Sequence, residues 1–251
     1  MKVLFFKRTV VAVVLSALIF FSAFCLNSVG LPVGATYVNK KLPIYSVKTD
    51  ENKVAISFDA AWGADKTRDI IAVCNTYNVK ATFFLVGFWV EKYPEMVKEI
   101  YNNGFEIGLH SNTHPDMTKL SKAEMKQELE TNINLIKNIT GAKPKLFRPP
   151  FGYYNNNLIE VCEELGIYCI QWSVDSLDWK GLSASEIAGR VISKSENGSI
   201  ILCHNNSDNI IDATKMMLEH FKQSRIEVVP VGNLIYLENY KIDNQGTQIK
   251  I

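Results

Sequence analysis

The sequence is poor in several features that would mark common functions. It has no block of like charge: 27 Lys and Arg stand against 26 Asp and Glu, a formal net charge of +1 over 251 residues. Without a basic stripe to neutralise phosphates, nucleic acid is not expected as a partner. No Gly-rich phosphate loop of the Walker or dinucleotide type is present, which argues against nucleotide chemistry. Cysteine is scarce and never paired as Cys-x-x-Cys. Cys74, Cys162, Cys169 and Cys203 sit in apolar surroundings and read as small buried hydrophobes rather than a disulfide framework. No internal repeat or low-complexity segment appears, and there are only four histidines.

What the chain does have begins with a leader. Lys2, Lys7 and Arg8 precede an apolar run from Val10 to Leu26 that also holds Cys25. This pattern predicts export, with residues 1–35 as a signal peptide or N-terminal membrane anchor. Val33-Gly34-Ala35 offers a small-residue cleavage site. The expected location is extracytoplasmic, secreted or tethered, with membrane contact only through that segment. Residues 36–52 are polar and read as a linker.

From Lys53 the pattern alternates. Strands are predicted at 54–58, 81–86, 105–109, 145–147, 167–174, 199–203 and 226–229. Helices are predicted at 66–77, 90–101, 121–139, 157–165, 183–195 and 209–223. Pro94 falls in the first turn of the second helix or breaks it. Ser121 with Glu124, and Ser183 with Glu186, are capping boxes, and Gly166 is a helix stop. Residues 232–251 form a C-terminal extension. Strand–helix alternation calls for a parallel sheet covered by helices, either a barrel of TIM type or an open doubly wound sheet.

Chemistry-bearing residues stand where the strands end: Asp59 after the first, His110 and His114 after the third, Arg148 after the fourth, Asp175 and Asp178 after the fifth, and His204 after the sixth. In parallel α/β folds these ends share one face, so the residues are expected to converge. Two imidazoles can hold a divalent ion, zinc by the preference of imidazole, with cobalt, nickel or manganese as alternatives. Such an ion acidifies bound water and polarises a carbonyl. Asp59 can take a proton and His204 can give one. One of Asp175 and Asp178 would orient His204, the other forming a turn. Arg148 can anchor a carboxylate, and the backbone N–H near Phe151 can face an oxyanion. Trp62, Trp89 and Trp172 read as core, while Trp179 beside Asp178 reads equally as core or contact. Asn205, Asn206 and Asp208 read as loop and helix cap, His220 as a surface residue. The constellation points to metal-assisted hydrolysis of an amide or ester.

Ser57-Phe58-Asp59, His110-Ser111-Asn112-Thr113-His114, Arg148-Pro149-Pro150-Phe151-Gly152, Asp175-Ser176-Leu177-Asp178-Trp179 and Leu202-Cys203-His204 occur in this order. Over about residues 52–231 the chain resembles the polysaccharide deacetylases, the NodB-homology domain of carbohydrate esterase family four. Ala81-Thr82-Phe83-Phe84 looks like that family's second strand. Phe58-Asp59-x-x-Trp62-Gly63 is most similar to its sporulation-associated branch. The resemblance implies a distorted (β/α) barrel of seven to eight parallel strands, TIM-like, over residues 53–231. It implies removal of N-acetyl groups from an acetylated polysaccharide, peptidoglycan favoured, with release of acetate, and a monomer is expected. By motif position Asp59 is the base, His204 the acid, Asp178 its partner and Arg148 the support of the base. His110 and His114 are the metal ligands, and Phe151, Trp179 and Leu202 contact substrate. One departure stands out. The family's first motif has two adjacent aspartates, and here the second, a metal ligand, is Ala60. Asp59 could turn to the metal, Asp65 could reach in, or the site could be weak, leaving a glycan-binding protein on a deacetylase scaffold.

Overall fold

The β-branched and aromatic runs of the sequence become short parallel strands in the computed structural model, which describes residues 40–251. The leader, its cleavage site and Cys25 lie outside the described residues. In chain order the elements are β1 (Ser46–Val47), β2 (Lys53–Ala60), α1 (Thr67–Thr76), β3 (Thr82–Leu85), α2 (Gly87–Lys92), α3 (Pro94–Asn102) and β4 (Glu106–Leu109). Then come α4 (Lys122–Thr140), β5 (Leu146–Phe147), α5 (Asn156–Leu165), β6 (Tyr168–Cys169), β7 (Val174–Asp175), α6 (Ala184–Lys194) and β8 (Ile200–His204). The chain finishes with α7 (Ile210–Gln223), β9 (Glu227–Val229), α8 (Val231–Leu234), β10 (Tyr240–Ile242) and β11 (Thr247–Lys250).

Eight strands form one parallel sheet in the order β6-β5-β4-β3-β2-β8-β7, and β9 pairs the start of β2. Followed around, β2 to β6 run consecutively and β7 and β8 return to β2. That is barrel order, with no pairing between β6 and β7 among the described residues. The architecture is therefore a distorted (β/α) barrel rather than a doubly wound sheet. The N-terminal stretch lies at this opening. Ile44 N–H donates to the Cys169 carbonyl at 2.9 Å, Gln171 N–H donates to the Ile44 carbonyl at 2.7 Å, and Val47 N–H donates to the Gly198 carbonyl at 2.9 Å. Gly198 (φ +81°) has no room for a side chain, since a Cβ would stand 1.7 Å from the Val47 carbonyl oxygen.

Two elements differ from the sequence expectation. The run 167–174 is not one strand, because Ile170–Ser173 bridges the opening and β6 and β7 are separate. The helix expected at 90–101 is two helices, Pro94 opening the second as its first residue, where its missing N–H costs nothing. Both capping boxes form as expected. Residues 41–52 and 232–251, expected as linker and extension, belong to the same compact unit, Lys41–Ile251. β1, β11 and β10 make a small sheet of their own. Cys74, Cys162, Cys169 and Cys203 are all buried and free.

Side-chain alternation on the strands divides the core. Val54, Ile56, Phe58 and Ala60 of β2 belong to the large cluster that the helices cover, whereas Ala55, Phe84, Leu146 and Ile200 belong to a second, interior cluster. At the N-terminal end of the barrel, Glu106 accepts from Thr82 Oγ1 at 2.7 Å and from Gly232 N–H at 2.9 Å. Thr82 Oγ1 accepts in turn from Val231 N–H at 2.8 Å. These bonds hold α8 across that end.

Candidate active site

The C-terminal strand ends surround a cavity of about 700 Å³ that Asp59, His110, His114, Phe151, Trp179, Leu202 and His204 all line. Arg148 and Asp178 support it from behind. Every residue singled out by motif position is thus brought to one site.

Strand register sets the two proton-handling groups. Asp59 of β2 and His204 of β8 are register partners on adjacent parallel strands, about 4.8 Å apart by sheet spacing. Asn205 N–H donates to the Asp59 carbonyl at 3.1 Å and continues the ladder. The Asp59 side chain is 7% exposed. Arg148 Nη1 donates to Asp59 Oδ1 at 2.8 Å and Nη2 to the Gln171 carbonyl at 3.1 Å, so the arginine holds the carboxylate through one nitrogen. The guanidinium lies 4.2 Å above the Phe84 ring. Phe84 can fill the interior because its neighbour on β4 is Gly108, whose Cβ would stand 2.5 Å from that ring. Burial pushes the Asp59 carboxyl up, but the Arg148 guanidinium outweighs it and holds the acid below the ordinary carboxylate range. Asp59 is therefore ionised at neutral pH.

Asp178 is 3% exposed and grips His204 twice, accepting from His204 N–H at 2.7 Å and lying 2.7 Å from Nδ1. Burial lowers the pKa of His204, and the Asp178 carboxylate more than compensates, raising it above that of a free imidazole. The ring donates Nδ1–H to Asp178 and presents Nε2 to the cavity. Asp175 plays the other part expected of the pair, its Oδ1 closing a turn on Leu177 N–H at 2.9 Å.

The histidine turn is held by α4. Ser111 and His114 both have positive φ, 65° and 59°, conformations that side chains other than glycine adopt at a cost. Glu128 of α4 accepts from the N–H groups of Asn112 and Thr113 and from Thr113 Oγ1, each at 2.8 Å. Buried Asn132 donates to the carbonyls of Leu85 and Ser111. His110 Nδ1–H donates to the Arg148 carbonyl at 2.7 Å, turning Nε2 to the cavity as metal-ligating imidazoles do. The His114 ring stands 5.0 Å from that of His110. Burial, and then the neighbouring His110, lower His114 to about 4, and burial also lowers His110. Both imidazoles are neutral and have lone pairs to give. The 3.6 Å contact between His110 Nε2 and Asp59 Oδ2 is for that reason not an ion pair.

These donors suit a divalent ion held by two imidazoles with its remaining positions open. They do not form a three-ligand cage: among the described residues no group of three His, Cys, Asp or Glu is placed to hold an ion. Ala60 is fully buried on the helix-facing side of β2. Asp65 is exposed in the loop before α1 and does not line the cavity, so it does not replace the missing carboxylate. Asp59 is already engaged by Arg148.

Of the tryptophans expected in the core, Trp62 is not there, and Trp172 is half-buried, packed against the interior cluster while also reaching the cavity. Trp62 is 65% exposed and lines the cavity, and Trp172 lines it too, against Gly152. Each lies outside a regular strand, where side-chain alternation gives no sign of facing. Trp89 is core as expected, donating Nε1–H to the Gly63 carbonyl. Asn205, expected only as a loop residue, is buried and donates to the Gly63 carbonyl and Thr67 Oγ1, each at 3.0 Å. It ties the loop after β2 to the end of β8. Its place directly after His204 was the available signal.

Residues 46–170 match the family described as Polysaccharide deacetylase. A peptidoglycan-N-acetylglucosamine deacetylase of Bacillus cereus is 36% identical over 169 residues, 67% of this chain and 62% of that protein. The chain spans about half to three-fifths of the length of the first curated relatives it matches. Among solved structures, the Bc1960 peptidoglycan N-acetylglucosamine deacetylase superposes with a TM-score of 0.74 at 32% identity, over 76% of this chain and 91% of that one. A family-four carbohydrate esterase pseudoenzyme from Bacillus anthracis superposes at 0.75 with 28% identity, over 83% and 70%. A mutant of it is described as having restored enzymatic activity. With the fold, the ordered motifs and these matches in agreement, the chain belongs to the polysaccharide deacetylase family.

Proposed function

We propose that this protein is a metal-dependent hydrolase that removes N-acetyl groups from a peptidoglycan-type polysaccharide and releases acetate. One observation carries the reading: a carboxylate and an imidazole sit side by side on adjacent strands, each held by its own buried partner of opposite charge, Arg148 and Asp178, beside two further histidines. Asp59 takes the proton of the attacking water, and Arg148 keeps it ionised and aimed. His204, charged through Asp178, gives its proton to the departing amine nitrogen. The backbone N–H of Phe151 is the donor nearest in kind to an oxyanion site, and Phe151, Trp179 and Leu202 frame the acetyl group. His110 and His114 would hold the metal, zinc by ligand type, which when bound polarises the acetyl carbonyl and acidifies water. The names of the relatives support peptidoglycan as the glycan. The leader supports action outside the cytoplasm, and no described helix is long and apolar enough to cross a membrane. The Trp62-Gly63 variant of the first motif supports a sporulation-associated role.

Acetate release from N-acetylated chito-oligomers and from muropeptides, without added metal and with zinc, cobalt, nickel or manganese, tests the proposal. Metal-dependent release that His204→Ala abolishes is expected. Glycan binding with no acetate under any metal would favour a second reading, a catalytically silent glycan-binding protein. Ala60 and the pseudoenzyme relative are the observations behind that reading.

A further inference from the structure

Gln171 grips both ends of the Arg148–Gly152 motif. It lies in the stretch that bridges the opening between β6 and β7 and is 1% exposed. Its carbonyl accepts from Arg148 Nη2 at 3.1 Å, and its side-chain Nε2 donates to the Gly152 carbonyl at 2.8 Å. Its own N–H donates to the Ile44 carbonyl at 2.7 Å, and Ile44 N–H donates to the Cys169 carbonyl at 2.9 Å. The N-terminal stretch therefore anchors Gln171 from behind, while two different groups of the residue reach forward.

The side chain reaches a strained turn. Phe151 (φ 59°, ψ 3°) and Gly152 (φ +73°) are both left-handed. A bulky residue adopts that conformation only where its surroundings hold it there. The Phe151 side chain is largely exposed, so its own packing does not supply the hold. Gly152 N–H to the Pro149 carbonyl and Tyr153 N–H to the Pro150 carbonyl, each at 3.1 Å, close the turn on itself. Gln171 Nε2 ties it to the barrel. The fit leaves no space for a side chain at position 152: a Cβ there would stand 2.9 Å from the Trp172 indole and 3.3 Å from Gln171 Oε1.

An oxyanion donor acts only where it already stands at the developing charge, and a base only where it is aimed at the attacking water. Arg148 aims Asp59, and the turn carries the Phe151 N–H. We propose that Gln171 is a positioning residue that fixes the Phe151 turn relative to the Asp59–Arg148 pair, so that oxyanion donor and base keep one spacing. This rests on reading the Phe151 N–H as the oxyanion donor of a deacetylase. Glutamine suits the task by its chemistry: glutamate at this place, when ionised, has no hydrogen to donate, and asparagine is one methylene too short.

The test compares the wild-type protein with Gln171→Met, which keeps length and bulk but removes the donor, and Gln171→Asn, which keeps the amide but shortens its reach. Amide hydrogen exchange at residues 151–153 is read by NMR. Values of kcat and KM are measured for acetate release from the β-1,4 pentamer of N-acetylglucosamine with zinc. Exchange at 151–153 should quicken about three- to tenfold in Gln171→Met, with the β2–β4 amides unchanged. Its kcat should fall about 10- to 100-fold while KM stays within about twofold. Gln171→Asn should move both in the same direction, and it carries the comparison alone if Gln171→Met does not fold. Unchanged exchange at 151–153, exchange quickened evenly over the whole barrel, or a raised KM at unchanged kcat would each overturn the proposal. A freed turn in the variants, with no acetate from the wild type under any metal, would leave the brace standing and remove the deacetylase reading.

Discussion

Two carboxylates withdrawn from water stand at opposite ends of the barrel and titrate in opposite directions. Asp59, at the C-terminal strand ends, meets the Arg148 guanidinium and is held below its ordinary range. Glu106, at the start of β4, meets only a hydroxyl and an N–H, and its burial, the dominant influence, pushes it up. Desolvation acts on both, and the partner decides the sign. The cation end keeps a charge available for chemistry. The other end uses its carboxyl as a hydrogen-bond acceptor that closes the fold.

Removing the cation is expected to produce the largest change. Arg148→Met leaves Asp59 buried without its partner and should cost about 3–5 kcal/mol, read as a lower urea midpoint at unchanged slope. A midpoint within error of wild type would mean that the pair does not govern that end. Next is Asp178→Asn, which removes the charge that raises His204. Turnover should fall by about 10²–10⁴-fold, and the alkaline limb of the pH–rate profile should move to lower pH. A uniform drop with an unmoved limb would make Asp178 a packing residue only. Ala60→Asp comes third. Its new carboxyl points into the helix-covered cluster, so a loss of about 1–3 kcal/mol is expected, with no tighter zinc binding by calorimetry. Tighter binding would show that the strand end turns the side chain back to the histidines.

The smallest effect sharpens the contrast by pH. Asp59, with its folded pKa below 3.8, stabilises above that value and loses this as pH falls through the folded pKa. Glu106 works the other way. Its folded pKa lies above 4.5, so stability falls as pH rises from there through the folded value. Glu106→Gln keeps an acceptor for Gly232 N–H and should gain up to about 1 kcal/mol at pH 7 relative to pH 4, measured by denaturation at both. A larger gain at pH 4 would reverse the assignment.

The sequence made legible the strand ends, both capping boxes, the histidine pair, the turn role of Asp175 and the pairing of Asp178 with His204, because each depends on residues near one another or on motif order. The facing of Trp62 and Trp172 was not legible, since both leave the strand periodicity that tells inside from outside. Nor was the roof over the histidine turn, because Glu128 and Asn132 lie 16 and 21 residues from their partners Asn112 and Ser111, on a separate helix. The place of residues 41–52 was hidden as well, since Ile44 and Val47 find their partners far along the chain.

By itself the sequence determined which chemical groups stand at the ends of parallel strands, because hydrophobic period and polar punctuation are local properties. Only the tertiary structure decided their charges and reach. Arg148 over Phe84 keeps Asp59 ionised, Asp178 raises the pKa of His204, and β2 turns position 60 toward the helices. Each follows from burial and from partners brought together across the fold, which no local stretch of sequence specifies.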